Sequence, residues 1–188
     1  MTRRPAAAVL LALLVLPACG PQTIVPPKPD RCAVALDIVQ AMVAEPEDHP
    51  VIFSEEAMMP AGRLEGSVWY PPRSPTRGAP PPAALVKALE NMSPVSAVRA
   101  CTKVRQFLDQ HDIAHGDAAV DHTTASWISK PATILGLSLP VVSEDGQAAL
   151  VVTSRVSGPL AGGGWAKFYR RREGGQWLLT AISGLWVS

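Results

Sequence analysis

The sequence predicts an α+β domain in which N-terminal helices pack on a C-terminal four-stranded antiparallel meander. Three observations lead there. Apolar residues recur at three or four positions in two stretches that end by Gln110. β-Branched and aromatic runs divided by glycine-containing turns fill the chain after Ala132. The length, 188 residues, suits one ordinary domain. With 18% charged and 47% apolar residues, charge-driven disorder is excluded. A net charge of +1 and a pI near 7.8 leave no basic face for nucleic acid. The 19 prolines are about twice the usual share, so part of the chain is irregular.

The first element is an export leader over residues 1–18. Arg3 and Arg4 precede an apolar run of eleven residues, Ala6 to Leu16. Such a run is too short to span a hydrocarbon core about 30 Å thick, and it suits the central region of a signal peptide. The stretch Leu16-Pro17-Ala18-Cys19 resembles the lipobox of bacterial lipoproteins: an aliphatic residue, a variable one, a small one, then cysteine. Ordinary signal peptidase requires a small residue where Leu16 stands. The resemblance implies cleavage before Cys19, a diacylglycerol on its thiol and an acylated amine. The chain would then meet the lipid bilayer through its acyl anchor, since several chains hold far better than one. Gly20 occupies the position where Asp would retain such a protein at the inner membrane. The implied location is therefore the outer membrane, facing the periplasm.

Lipidation also bears on the other sulfurs. With Cys19 acylated, Cys32 and Cys101 remain as a pair in an oxidising compartment. A bridge between them would close a loop of about 70 residues; the alternative is two buried free thiols. Loss of Arg3 and Arg4 with the leader reduces 17 basic side chains to 15, against 16 acidic ones, so no basic patch assists anchoring. Residues 19–30 read as the lipidated cysteine and an extended, proline-containing tether, and residues 31–188 as a single domain.

Within that domain the first helix is expected from Asp30, a good N-cap, to Ala44, with Val34, Ile38, Ala41 and Met42 on one stripe. Pro46 ends it. Residues 46–82 carry nine prolines, and only Val51–Phe53 and Gly66–Tyr70 have strand character. A segment so long without regular structure is uncommon inside a domain. Ala83 to Asn91 is helical. A longer helix is expected from Ser93, its N-cap, with Pro94 in the first turn, to Gln110. Its apolar face is Val95, Val98, Cys101, Val104 and Leu108.

Four strands follow: Thr133 to Val142, Ala148 to Ser157, Trp165 to Arg172 and Trp177 to Val187. The turn over Ser143–Gly146, the glycine loop Gly158–Gly164 and the turn Glu173–Gly175 are short enough to make neighbours antiparallel. One face is expected to pack on the helices while the other leaves Lys167, Arg170 and Arg172 partly wet. The stretch from Ser143 to Ser188, with its acidic-glycine turn, Gly-Pro-Leu loop, Gly-Gly-x-Trp hairpin and final Trp-x-Ser, resembles the C-terminal end of small, uncharacterised bacterial envelope proteins. Members often have cysteines bracketing the glycine loop. Here Ser157 and Ala161 stand instead, so a loop disulfide is absent. Helices followed by a curved meander also resemble the NTF2-like cone fold in architecture.

One cluster has metal-ligand chemistry. His111, His115, Asp117, Asp121 and His122 fall within a 14-residue stretch that begins at Asp109. Imidazole and carboxylate suit Zn²⁺. A helix continued through His115 would align His111 and His115. However, the Glu of H-E-x-x-H is missing and Gly116 signals an end. The alternative is a helix C-terminus where the imidazoles meet exposed carbonyls, with Asp117 and Asp121 as loop and capping residues. The glycine loop lacks the Lys-Ser/Thr pair of a phosphate-binding loop, so it reads as a turn. Ser126, Ser129 and Lys130 lack the partner motifs of a Ser-x-x-Lys acylase. The five tryptophans serve either the core or an exposed patch for a partner. No catalytic residue and no cofactor is thereby assigned. The expectation is an envelope-anchored lipoprotein with a non-enzymatic binding or structural role toward an unidentified protein or small molecule. Its rival is a small metal-dependent or NTF2-like enzyme using the His111–Asp121 cluster.

Overall fold

The computed structural model describes residues 29–56, 64–74 and 76–187. The leader, Cys19 and most of the tether lie outside them. Helix α1 (Arg31–Ala44) begins as expected: the Asp30 carboxylate accepts from the Cys32 and Ala33 amides at 2.9 and 3.3 Å. Its buried stripe is Val34, Ala35, Ile38, Val39 and Met42, and Ala41 is exposed instead. Strand β1 (Val51–Phe53) follows, then α2 (Ala83–Glu90).

The long helix expected from Ser93 is two helices, α3 (Ala97–Ala100) and α4 (Thr102–Gln110). Its cap is Ser96, whose hydroxyl accepts from the Val98 amide at 3.2 Å. The break falls at Cys101, which is extended (φ −116°, ψ 103°). The Arg105 guanidinium donates to the Val98 and Arg99 carbonyls at 2.8 and 2.7 Å, satisfying groups that the break leaves without helical partners. Because α3 and α4 keep the same inward face, Val98, Cys101, Val104 and Leu108 are all buried. Cys101 is bridged to Cys32 across to α1, with Cα atoms 5.4 Å apart.

Helix α4 stops in a Schellman arrangement: the Ile113 amide donates to Leu108 and the Asp112 amide to Asp109. Asp112 takes the left-handed position at φ 53°, which aspartate tolerates. Helix α5 (Asp117–Ser126), unforeseen in the sequence, begins after Gly116 (φ 92°).

The sheet has six strands and is mixed, where a four-stranded antiparallel meander was expected. The stretch Thr133–Val142 divides into β2 (Thr133–Leu137) and β3 (Val141–Val142), with Pro140 between them. Strands β4 (Ala148–Gly158), β5 (Ala161–Arg171) and β6 (Trp177–Val187) complete the order β1-β2-β4-β5-β6, with β3 paired to β4. Strand β1 runs parallel to β2; the other pairs are antiparallel. The glycine loop is strand: Gly158 already pairs with Ala161, so only Pro159 and Leu160 turn the chain. Gly66–Tyr70 is not a strand, and Tyr70 alone bridges to Ile182. Register shifts leave Thr180 and Leu185 as extra residues on β6, which breaks the single parity expected of that strand.

Both faces of the sheet carry a core, where one wet face was expected; Arg170 and Arg172 are exposed as expected, and Lys167 is half-buried on the face that α1 covers. On the first, Phe53, Leu137, Val151 and Tyr169 pack with α1, α3 and α4. On the second, Leu150, Val152, Ala166 and Phe168 pack with α2 and with Leu64 and Trp69 of the proline-rich segment. Strand β4 serves both cores by alternation, Ala149 and Val151 on one side and Leu150 and Val152 on the other.

Candidate functional site

The first face is not covered along its whole length. Helix α1 ends at Ala44, where Glu45 turns extended, and beyond that end the sheet surface forms a pocket of about 250 Å³. Its floor comes from register. Thr153 pairs with Trp165, Leu135 with Arg155 and Lys167 with Ile182, so three strand pairings place six side chains on one surface. Met42 closes the pocket toward the core, and Glu45 and Glu47 stand at its edge.

Trp165 can lie against the strand because Gly163 has no side chain. A Cβ there would stand 2.8 Å from the indole ring. Gly164 plays the same part on the opposite face, where Trp186 lies so close that a Cβ would overlap its indole nitrogen. The glycine run is therefore a seat for two indoles rather than a flexible loop.

The polar groups of the pocket fall into two sets. Arg155 and Glu47 satisfy each other, Nη2 to Oε2 at 2.6 Å, with the Glu47 side chain 8% exposed. Lys167 and Thr153 have no direct hydrogen-bond partner among the described residues. Thr153 is 1% exposed, and its buried Oγ1 has no hydrogen-bond partner among the described residues. Lys167 is half-buried, and burial lowers its pKa from 10.5 against the smaller opposing charge of Glu45. Among the described residues Lys167 makes no hydrogen bond or ion pair. An unpaired buried hydroxyl is costly, so Thr153, in one pocket with a half-buried cation that has no direct partner, distinguishes it from ordinary core.

The histidine-aspartate cluster is not brought together. Helix α4 ends before His111 and His115 could share a face. His111 is exposed and its ring packs on Phe107, centroids 4.4 Å apart. His115 Nε2 meets Asp109 Oδ1 at 3.0 Å, and Asp117 pairs with Arg99 at 3.2 Å. Asp121 and His122 lie on the exposed side of α5, in a helix rather than a loop. No group of three or more His, Cys, Asp or Glu side chains among the described residues could hold a metal ion. The Ser126 and Ser129 hydroxyls bond local carbonyls at the end of α5. Of the tryptophans, Trp69 is core at 3% exposure, and Trp127, Trp165, Trp177 and Trp186 are half-buried.

Lys167 and Thr153 were missed as site residues because their strands read as plain sheet. One signal was present: Lys167 sits among Trp165, Ala166, Phe168 and Tyr169, an apolar context in which a cation needs a reason. No family model, no curated protein and no solved structure matches the chain. No helix among the described residues is long and apolar enough to cross a membrane.

Proposed function

We propose that the chain is an exported lipoprotein, held by acyl chains on Cys19 to the outer membrane, and that its periplasmic domain binds a ligand without catalysing a reaction. The observation that carries this reading is the Cys32–Cys101 bridge. A disulfide between two helices belongs to an oxidising compartment. It also accounts for an odd cysteine count once the lipobox cysteine is acylated. The pocket beside Glu45, with its buried, unpartnered Thr153 hydroxyl and half-buried Lys167, supports a binding role. The absence of a paired catalytic motif in the sequence favours binding over chemistry. Helices α1, α3 and α4 over one face of a bulged sheet, with a pocket beyond the end of α1, support an NTF2-like cone as the architecture, to which α2 on the other face is an addition.

Growth with labelled palmitate tests the anchor. The wild-type chain should carry the label and Cys19→Ala should not. A wild-type protein that takes up no label, or that retains its leader, overturns the placement.

A further inference from the structure

We propose that the pocket beyond the end of α1 takes a small organic anion, a carboxylate with a short apolar body, held by Lys167 and Thr153. The proposal rests on the binding reading above and names the chemistry of its ligand.

The pocket holds two cations and two carboxylates, so its formal charge is balanced. Arg155 and Glu47 consume one charge of each sign in a direct pair. Glu45 is exposed at the rim, where water serves it. What remains inside is the Lys167 ammonium, with up to three N–H donors, and the Thr153 hydroxyl, which can donate one more. A pocket with surplus donors calls for an acceptor. A carboxylate offers about four acceptor positions on two oxygens and also gives Lys167 a direct ion pair, which Glu45, acting on it only through its charge, does not.

Placement agrees. Thr153 sits opposite Trp165 on the neighbouring strand, and Lys167 follows Trp165 by two residues on the same face. They are thus diagonal neighbours, about 7–8 Å apart at the backbone. The hydroxyl is short and fixed while the lysine stem is long, so both donors can converge on one headgroup between them. The apolar remainder of the ligand has Trp165, Leu135, Met42 and Ile182 to lie against. A volume of about 250 Å³ accommodates a headgroup with a chain of a few carbons.

The test uses the full-length chain in nanodiscs, with empty nanodiscs as background, and three probes of one shape: hexanoate, hexanamide and hexylamine. Hexanoate should bind, with nuclear Overhauser contacts to the Trp165 indole, while the amide and the amine bind about tenfold or more weakly. Lys167→Met should weaken hexanoate by about tenfold, and Thr153→Val by a few-fold. Circular dichroism of each variant should match wild type, because both changes keep the side-chain volume. Hexanamide binding as well as hexanoate, hexanoate bound away from Trp165, or folded Lys167→Met with unchanged affinity would each overturn the carboxylate assignment. In the first of these outcomes the pocket would still be a binding site. Failure of all three probes to contact Trp165 would count against the binding reading itself.

Discussion

The two faces of the sheet are covered by different means. The first face is closed by helices α1, α3 and α4, which repeat their apolar residues at helical spacing and are clamped to one another by Cys32–Cys101. The second is closed by one short helix, α2, and by Leu64 and Trp69, whose stretch between residue 64 and α2 forms no helix or strand among the described residues. That segment is held by a few polar contacts: the Glu90 carboxylate accepts from the Leu64 and Glu65 amides, the Gly78 amide donates to Trp69, and Tyr70 exchanges two backbone bonds with Ile182. Covalent constraint and periodic packing secure one side; side-chain anchors and isolated hydrogen bonds secure the other. The difference explains how a sheet can be buried on both faces when the sequence advertises only one set of covering helices.

The largest expected effect breaks the clamp. Replacing both Cys32 and Cys101 with alanine should cost about 4 kcal/mol of stability in the chain-entropy account, because the closed loop spans about 70 residues. Urea unfolding measures it. If the double variant is as stable as wild type, the bridge is incidental to the first face and the contrast between the faces loses its covalent half.

Trp69→Ala attacks the other side. Trp69 is 3% exposed and packs among Leu64, Leu85 and Phe168 on the second face, so its truncation should cost about 3 kcal/mol. Limited proteolysis should then cut residues 64–78 before any part of α1 or α4, since Trp69 is the segment's largest apolar anchor. Equal protection of that segment in the variant would mean that the polar contacts alone hold it.

These two regions also differ in how much the sequence revealed. Helices α1 and α2 start within a residue or two of their sequence signals, and four of the five residues of the expected apolar face, Val98, Cys101, Val104 and Leu108, keep helical spacing across the break, while Val95 precedes α3 and is half-buried. The break itself was not readable, since Cys101 changes backbone conformation without changing which side faces inward. The covering role of Leu64 and Trp69 has no period to detect: single apolar residues among prolines pack by tertiary context alone. The split at Pro140 had a local signal, a proline that cannot donate to the ladder, whereas the parity changes at Thr180 and Leu185 follow from strand pairing, which no local pattern encodes. Lys167 and Thr153 stayed hidden for a related reason. Their meaning depends on where α1 stops above them, a distance of more than a hundred residues along the chain.

The smallest expected effect separates the faces by pH. Phe168 and Tyr169 are neighbours in β5 that point to opposite sides, so the second core receives a ring that cannot titrate and the first receives one that can. Burial raises the Tyr169 phenol above its ordinary 10.0, and the negative charge of Glu45 adds to the shift. The neutral phenol is then kept in the fold while the unfolded chain ionises, so stability is full below pH 10 and falls as the pH climbs past it. The slope for this one group is up to about 1.4 kcal/mol per pH unit. Lys167 acts in the opposite sense. Its folded pKa lies below 10.5, so its contribution rises with pH through the window between the two values and stops changing above 10.5. Comparing urea midpoints of wild type and Tyr169→Phe from about pH 9 to 11 isolates the phenol, because Lys167 is common to both. The wild type should lose stability relative to the variant above pH 10. Parallel curves across that range would place the hydroxyl in water, and the first face would be as open at Tyr169 as it is at the pocket.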